Sequence, residues 1–250
     1  MHNREREQQI IDILKRANGF VTVNELCEAL YASPSSIRRD LRVLEECGLV
    51  KRSYGGATAV ISTSSIMNFS HRTRENAQAK REIARKAVSL IRDGDVIFID
   101  QSSSAFFLAG EIAHYSGITV VTNNIEVMML LSVTQTEVIA TGGRLSEQNR
   151  NCLLGGDAQK TFENIYADVM FFSVEALDDN GVVSDATREE VLIRNVMMQN
   201  ASKRVLLCDS TKFGKRAPFK QCDLSELDVL ISEGEQAQHF AAFRNSIELM

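Results

Sequence analysis

Two groups of side chains in this sequence have the chemistry to hold an anion. The first is Arg38, Arg39 and Arg42, with Ser33, Ser35 and Ser36 just ahead of them, in the run SPSSIRRDLRVL from Ser33 to Leu44. A guanidinium offers N–H donors in a planar fork that matches phosphate oxygens and the exposed edge of guanine. The second group is spread over four short polar stretches: Asp100-Gln-Ser102-Ser103-Ser104, Thr122-Asn123-Asn124, Gly142-Gly143-Arg144 and Asp209-Ser-Thr-Lys212. Hydroxyls, amides, approachable glycine backbone, one Arg and one Lys are the donors a small oxygen-rich anion requires.

The arginines need a helix to aim them. At roughly 100° per residue, Ile37, Leu41 and Leu44 share one face, and Ser35, Arg38, Arg39 and Arg42 fan across the other. Ser33 is placed to cap that helix, and Pro34 occupies its first position, where a missing N–H costs nothing. Upstream, Arg4 to Ala17 spaces Ile10, Ile13, Leu14 and Ala17 as a helix that stops at Asn18-Gly19. Thr22-Val-Asn-Glu25 has capping-box spacing and opens a second helix, with Leu26, Ala29 and Leu30 on its apolar face. Only Tyr31 and Ala32 separate this helix from Ser33, which makes a helix-turn-helix. Beyond Gly48, which ends the helical run, LVKRSY and GGATAV read as two strand-like pieces hinged at Gly55-Gly56. That hairpin is a wing. It carries Lys51, Arg52 and Tyr54 toward phosphates or the minor groove, while Thr22 sits at the start of the motif. A solvated surface helix would explain the arginines alone, but not the tight turn before them and the basic hairpin after them.

Charge supports the division. The chain of 250 residues has a net charge of −5; its first 90 residues hold 15 Lys+Arg against 10 Asp+Glu, and the rest hold 13 against 23. A basic module facing a polyanion, joined to an acidic body, is the organisation this implies. The expected boundaries are 1–58 for the head, 59–75 for a Ser/Thr-rich linker and 76–250 for the body. Five cysteines, Cys27, Cys47, Cys152, Cys208 and Cys222, are too scattered for a zinc site or a disulfide framework and read as reduced, buried residues. No metal, cofactor or catalytic constellation is expected. The N-terminus lacks a signal-peptide pattern and no run approaches the roughly 18 apolar residues of a bilayer span, so a cytoplasmic protein with no membrane partner is expected.

In the body, Ala77 to Ile91 reads as a helix with Ile83, Ala87, Val88 and Ile91 buried and Lys80, Arg81, Arg85 and Lys86 on its wet face. Apolar runs at Val96–Ile99, Ile118–Val121, Glu137–Ala140, Val169–Val174, Arg204–Leu207 and Val229–Ile231 alternate with helical stretches. Strands buried on both faces and joined by helices predict an α/β fold with a mostly parallel sheet flanked by helices. Ligands gather beyond the carboxyl ends of such strands, which is where the four polar stretches fall. Each has a purely structural reading: a helix cap for Asp100, turn closure for Asn123 and Asn124, a tight bend at Gly142 and Gly143. Together on one rim, with Arg144 and Lys212, they predict a small-anion pocket.

The run SPSSIRRDLRVLE, followed by RSYGGA, resembles the N-terminal module of the DeoR family of bacterial transcription regulators, whose pattern is close to S-x-x-T-I-R-R-D-L-x-x-L-E and then R-x-H-G-G-A. Ser36 stands at the usual threonine and Tyr54 at the usual histidine. The resemblance continues through Phe69-Ser-His-Arg72, Lys80-Arg-Glu-Ile-Ala84, the T-N and G-G-R-L stretches, and D-S-T-K. The body thereby resembles the family's sugar-phosphate-sensing domain, itself similar to ribose-5-phosphate isomerase. The resemblance implies a repressor of carbohydrate-metabolism genes, a phosphorylated sugar or related metabolite as effector, and a homo-oligomer, dimer or tetramer. Its operators would carry paired half-sites, with recognition helices about 34 Å apart. The effector either releases DNA or tightens it.

Two positions depart from the family. Ser102 stands where the phosphate loop D-S-G-T-T has glycine; if that position needs a positive φ, a serine is strained there and the loop is reshaped. Glu175 lies in Phe172–Asp179, where the family tends to F-x-G-x-x-G-I, and would either repel a phosphate or hydrogen-bond a sugar hydroxyl. Two other functions fit a body of this kind. One is a sugar-phosphate isomerase-like enzyme, with Asp100, Glu175, Asp178 and Asp185 as candidate bases by type, although the isomerase D-G-A-D-E loop is not recognisable at Val174–Asp179. The other is a body that only oligomerises, its pocket decayed.

Overall fold

The computed structural model describes residues 3–17, 19–46, 49–59 and 69–250 and divides into two compact units, Met1–His71 and Arg72–Met250. Gly48, Cys47 and most of the Ser/Thr-rich linker, residues 60–68, lie outside the described residues.

The first unit contains α1 (Asn3–Ala17), β1 (Phe20–Thr22), α2 (Val23–Leu30), α3 (Pro34–Glu46), β2 (Val50–Ser53) and β3 (Gly56–Ala59). Ile10, Leu14, Leu26, Ile37, Leu41 and Leu44 are fully or almost fully buried together, so the i, i+3, i+4 spacing of all three helices is satisfied by one core. The strands form an antiparallel sheet in the order β1-β3-β2. The sequence signalled β2 and β3 but not β1, which is three residues long and shows no alternation that a strand search would find. Its cost is visible at Gly56, where a Cβ would sit 2.2 Å from the Val21 carbonyl oxygen. The preceding Gly55 has φ +83° in the wing turn, so the two glycines are required for different reasons.

After α4 (Phe69–Arg74), a helix within the span read as linker, the second unit runs as follows. Its first half comprises α5 (Ala77–Val88), β4 (Val96–Ile99), α6 (Ser103–Ile112), β5 (Thr119–Thr122), α7 (Ile125–Leu131), β6 (Glu137–Ala140), β7 (Arg144–Leu145), β8 (Leu153–Leu154) and α8 (Gly156–Glu163). Its second half comprises β9 (Ala167–Phe172), β10 (Ala176–Leu177), β11 (Val182–Asp185), α9 (Arg188–Gln199), β12 (Ala201–Leu207), β13 (Phe219–Asp223), β14 (Val229–Ile231) and β15 (Glu248–Leu249). Seven strands form one parallel sheet in the order β15-β14-β12-β9-β4-β5-β6, and β10, β11 and β13 form a small antiparallel sheet. All six strands expected from the apolar runs are present, some shifted by one to three residues.

Strand alternation divides the core in two. Ile97, Ile99, Val169, Phe171, Val205 and Leu207 face a layer with α5, α6 and α7; Phe98, Met170, Phe172 and Leu206 face a layer with α8 and α9. Each buried side chain of this size stabilises by about 1.5–3 kcal/mol. The chain turns from β4 toward β5 and β6 on one side, while β9, β12, β14 and β15 extend on the other. The strand order therefore reverses between β4 and β9, and ligands bind outside the carboxyl ends of parallel strands at such a reversal.

Candidate functional site

On α3 the division foreseen from the sequence is realised. Ile37, Leu41 and Leu44 are buried, while Arg38, Arg39 and Arg42 are exposed and make no ion pair among the described residues. Ser33 Oγ accepts the Ser36 N–H at 3.3 Å, which caps the helix, and Ser35 Oγ lies 3.0 Å away. Thr22 Oγ1 accepts the Glu25 N–H at 3.2 Å, and the Glu25 carboxylate accepts the Thr22 N–H at 2.7 Å, the reciprocal capping box. The Thr22 N–H and, to a lesser degree, the Thr22 hydroxyl, which donates to the same carboxylate at 2.8 Å, hold the Glu25 carboxyl below its ordinary range. One residue on α3 escaped the sequence reading. Asp40 is fully buried and accepts from Arg6 Nε at 2.6 Å, tying α1 to α3. Its signal was its position, three residues past Ile37 on the apolar side.

Between α2, α3 and the wing lies an open groove of about 900 Å³ whose lining includes Thr22, Arg38, Arg42, Arg52 and Tyr54. Lys51 is exposed on β2 and Tyr54 is fully exposed in the wing turn. Arg52 is engaged differently from its neighbours. Its Nε lies 2.9 Å from Glu45 Oε2 and its N–H donates to Glu45 Oε1 at 3.0 Å, so Glu45 fastens the wing to α3.

At the carboxyl edge of the parallel sheet, Asp100 follows β4 and is fully buried. Its Oδ1 accepts the Ser102 N–H at 3.0 Å; its Oδ2 accepts the Ser173 N–H at 3.3 Å, across the β4–β9 reversal. Ser102 has φ −77° and caps α6 by accepting the Ala105 N–H at 3.1 Å. The strain foreseen for a serine in place of glycine does not arise: the position takes ordinary extended backbone, and the hydroxyl serves as the cap. Ser103 and Ser104 open α6 and are buried.

Thr122 Oγ1 donates to the Ile99 carbonyl at 2.7 Å, Asn123 Nδ2 donates to Gln101 Oε1 at 3.3 Å and to the Leu153 carbonyl at 3.0 Å, and Asn124 Nδ2 donates to the Asp100 carbonyl at 3.3 Å. Lys212 Nζ donates to Ser173 Oγ at 2.8 Å and lies 3.8 Å from Asp209 Oδ2. The loops after β4, β5, β9 and β12 are thus stitched to one another. The Gly142–Arg144 loop joins them less directly, through the pairing of β7 with β8. Gly143, with φ +116°, packs so tightly that a Cβ would sit 2.5 Å from the Leu154 carbonyl oxygen. Arg144 is ion-paired with Glu189 at the surface, and Glu175 is exposed without a partner among the described residues. Along this edge Ser104 Oγ, Asn123 Oδ1, Thr141 Oγ1 and Asn149 Oδ1 are buried and find no hydrogen bond among the described residues, which leaves polar capacity for a ligand to satisfy.

The centre of this region is a residue the sequence reading missed. Arg194 on α9 is 2% exposed and pairs with Asp185 at 2.7 Å, Asp100 at 2.8 Å and Glu190 at 3.4 Å. Burial by itself lowers the guanidinium's pKa, but Asp185, Asp100 and Glu190 outweigh it and the net shift is upward. Glu190 also accepts from Gln101 Nε2 at 3.1 Å and Asn149 Nδ2 at 3.2 Å. The i, i+4 spacing of Glu190 and Arg194 was the available signal; Asp185 ends the strand just before α9, and only Asp100 comes from a distant segment. Of the carboxylates considered for base catalysis, Asp100 and Asp185 are held by Arg194, and Asp178 by Arg216.

Lys80 corrects a second expectation. It is not on the wet face of α5: it is 4% exposed, and its Nζ donates to the Arg72 and Glu75 carbonyls at 2.5 and 2.8 Å. Burial, with Lys212 nearby, pushes it down to about 8. Lys86 is also drawn in, donating to the Ser232 carbonyl at 2.8 Å, whereas Arg81 and Arg85 are exposed as expected. Asn76, at the start of α5, donates to Asp209 Oδ1 at 3.1 Å and Thr211 Oγ1 at 2.9 Å. Burial would raise the Asp209 carboxyl, but Lys212, the Thr211 hydroxyl, Lys80 and Asn76 hold it below its ordinary range. The described cysteines are free thiols, and burial pushes Cys208 and Cys222 up to about 12.

Comparison with known proteins bears on both units. Residues 6–63 match the family model of the DeoR-like helix-turn-helix domain, and residues 75–234 match that of the DeoR C terminal sensor domain. The chain is 31% identical over 230 residues to the HTH-type transcriptional regulator GlpR of Haloferax volcanii, covering 92% of this chain and 89% of that protein. It is 31% identical over 255 residues to the lactose phosphotransferase system repressor of Staphylococcus aureus, covering the whole of both. Among solved structures, ribose 5-phosphate isomerase A from Methanocaldococcus jannaschii aligns with a TM-score of 0.43 and 16% identity, over 56% of this chain and 55% of that one. A winged reading head followed by a sensor domain, matched over both parts, makes this chain a DNA-binding transcriptional regulator that belongs to the DeoR family.

Proposed function

We propose that the chain is a cytoplasmic, homo-oligomeric repressor of carbohydrate-metabolism genes, with no catalytic activity of its own, whose DNA affinity responds to a phosphorylated sugar or related metabolite at the carboxyl edge of the parallel sheet. The observation that carries the DNA side is the row of Arg38, Arg39 and Arg42, exposed and unpaired among the described residues, beside a groove bounded by the wing. Arg38 and Arg39 are assigned to base edges and phosphates, Arg42 and Lys51 to phosphates, Ser33, Ser35 and Ser36 to the approach of the helix start, and Thr22, Arg52 and Tyr54 to the groove margin. A relative named the lactose phosphotransferase system repressor, from Staphylococcus aureus, supports the choice of genes.

On the sensor side, Lys212 is bonded to Ser173, whose N–H meets Asp100 across the β4–β9 reversal, and its donation to Ser173 Oγ is a bond that a phosphate oxygen can replace. Asp100, Ser102, Ser103, Ser104, Thr122, Asn123, Asn124, Gly142, Gly143 and Arg144 are assigned to the ligand-bearing edge, with Glu175 at its margin. Of the four candidate bases, Asp100 and Asp185 are committed to Arg194 and Asp178 to Arg216, which leaves only the exposed Glu175 at the margin of the edge and supports a sensor rather than an isomerase.

The test has two arms. DNA selected by the full-length protein from a random pool is titrated with wild type, Arg38→Ala and Arg39→Ala. Each variant is expected to lose about 1–3 kcal/mol of binding, roughly 5- to 150-fold, with a shallower salt dependence where a phosphate contact is lost. Unchanged affinity and salt slope in both would remove α3 as the reading element. In the second arm, a panel of pentose and hexose phosphates and free sugars is screened by thermal shift. A ligand at 100 times its dissociation constant stabilises by about 2.7 kcal/mol, and no shift across the panel would leave the body as an oligomerisation module.

A further inference from the structure

Among the described residues only two other than glycine have positive φ, Tyr31 and Asn76. Asn76 accounts for itself: asparagine tolerates the left-handed region, and its side chain holds Asp209 and Thr211. Tyr31 does not. It closes α2 with φ 49° and ψ 43°, a conformation in which glycine or asparagine is at ease and an aromatic side chain is strained. Its side chain repays none of that strain by packing, because Tyr31 is 98% exposed. Neither the turn nor the core of the head requires tyrosine there.

The position explains the residue type. Tyr31 stands in the turn between α2 and α3, two residues ahead of Ser33. In a docked helix-turn-helix the first helix crosses the sugar-phosphate backbone while the start of the second enters the major groove, so their joint lies over the strand. We propose that Tyr31 is a DNA-contacting residue that binds this strand, with its hydroxyl donating to a phosphate oxygen and its ring covering a deoxyribose. The phenol suits this mixed surface, apolar on its face and polar at its tip. The head's other fully exposed tyrosine, Tyr54, lies in the wing turn, so the chain brackets its recognition helix with two aromatic side chains that have no place in the core. The inference rests on DNA binding by the head alone and stands or falls independently of which genes or metabolite the regulator serves.

The full-length chain and its pool-selected DNA provide the test, with Tyr31→Asn, Tyr31→Phe and, as reference, Arg38→Ala. Tyr31→Asn relieves the backbone and is expected to raise or preserve the thermal midpoint of the head while weakening DNA binding about tenfold. Tyr31→Phe keeps the ring and the backbone cost and is expected to weaken binding about threefold through the lost hydroxyl. Because the phenol is neutral, both keep the wild-type salt slope, unlike Arg38→Ala. Wild-type DNA affinity in Tyr31→Asn would overturn the proposal. So would an affinity loss matched by a lower thermal midpoint, or a changed sedimentation coefficient of the DNA-free protein, which would make Tyr31 a contact between copies instead.

Discussion

In the head, Arg38, Arg39 and Arg42 project from a core of aliphatic side chains and meet no carboxylate among the described residues; in the sensor, Arg194 is buried against three. The same guanidinium therefore does opposite work in the two units. The exposed arginines are ready for a partner, and binding adds interactions without dismantling any, at a strength that salt controls. The sensor's polar groups are already bonded to one another: Asp100 to Arg194 and Ser173, Asn124 to Asp100, Lys212 to Ser173. A ligand at that edge would satisfy the unbonded oxygens of Ser104, Asn123, Thr141 and Asn149 and would exchange some of these existing bonds, and the exchange is what would allow it to move the loops it touches.

The largest expected effect that tests this contrast is at Arg194. Arg194→Ala leaves Asp100, Asp185 and Glu190 buried without their cation and is expected to lower the sensor's unfolding free energy by about 3–5 kcal/mol, read by urea denaturation. Arg39→Ala, measured alongside, should change stability by about 0.5 kcal/mol or less. A comparable loss in both would erase the distinction between the units.

The next effect is a pH dependence specific to the sensor. Lys80, pushed down to about 8 by burial, binds its proton less well folded than unfolded. Its charge therefore penalises the folded state fully below pH 8, and the penalty is relieved as pH rises from 8 toward the unfolded value near 10.5. Cys208 and Cys222 act in the opposite sense above pH 9, because their thiols ionise more readily in the unfolded chain. The informative quantity is thus the difference between wild type and Lys80→Met. Wild type is expected to gain about 2 kcal/mol relative to the variant between pH 7 and pH 9.5. Parallel stability curves would return Lys80 to the solvated face.

The smallest effect lies at the border between committed and free charge. Arg52 is the one arginine of the wing, and Glu45 holds it. Glu45→Gln should strengthen DNA binding by about 0.2–1 kcal/mol if the freed guanidinium reaches a phosphate. Weaker binding would instead make Glu45 a support for the wing, with its hydrogen bond to the Arg52 N–H outweighing the released charge.

The contrast also explains what the sequence could convey. In the head the decisive signals are local: Thr22 and Glu25 three residues apart, Pro34 after Ser33, Gly55 beside Gly56. In the sensor the sheet was legible because each strand is an apolar run, but the ionic centre was not, since Asp100, Asp185 and the Glu190–Arg194 pair converge only after the sheet forms. Lys80 departs from what its residue type implies, although its spacing is informative: Lys80, Ile83, Ala84 and Ala87 follow one helical stripe, and the period decides its burial. A serine at position 102 in place of glycine implies strain only where the backbone demands a positive φ, and at this helix cap it does not.

The central strand of the large sheet has a consequence for how the chain is made. β9 pairs with both β4 and β12, and the contact between Val96 and Asp168 spans 72 residues. At about 5–20 residues per second, a ribosome needs several seconds to supply β9 after β4 has emerged, and until then one edge of β4 lacks its neighbour. The head, whose contacts close within the first sixty residues, can fold during that interval, so a newly made copy acquires its reading surface before its sensor core is complete.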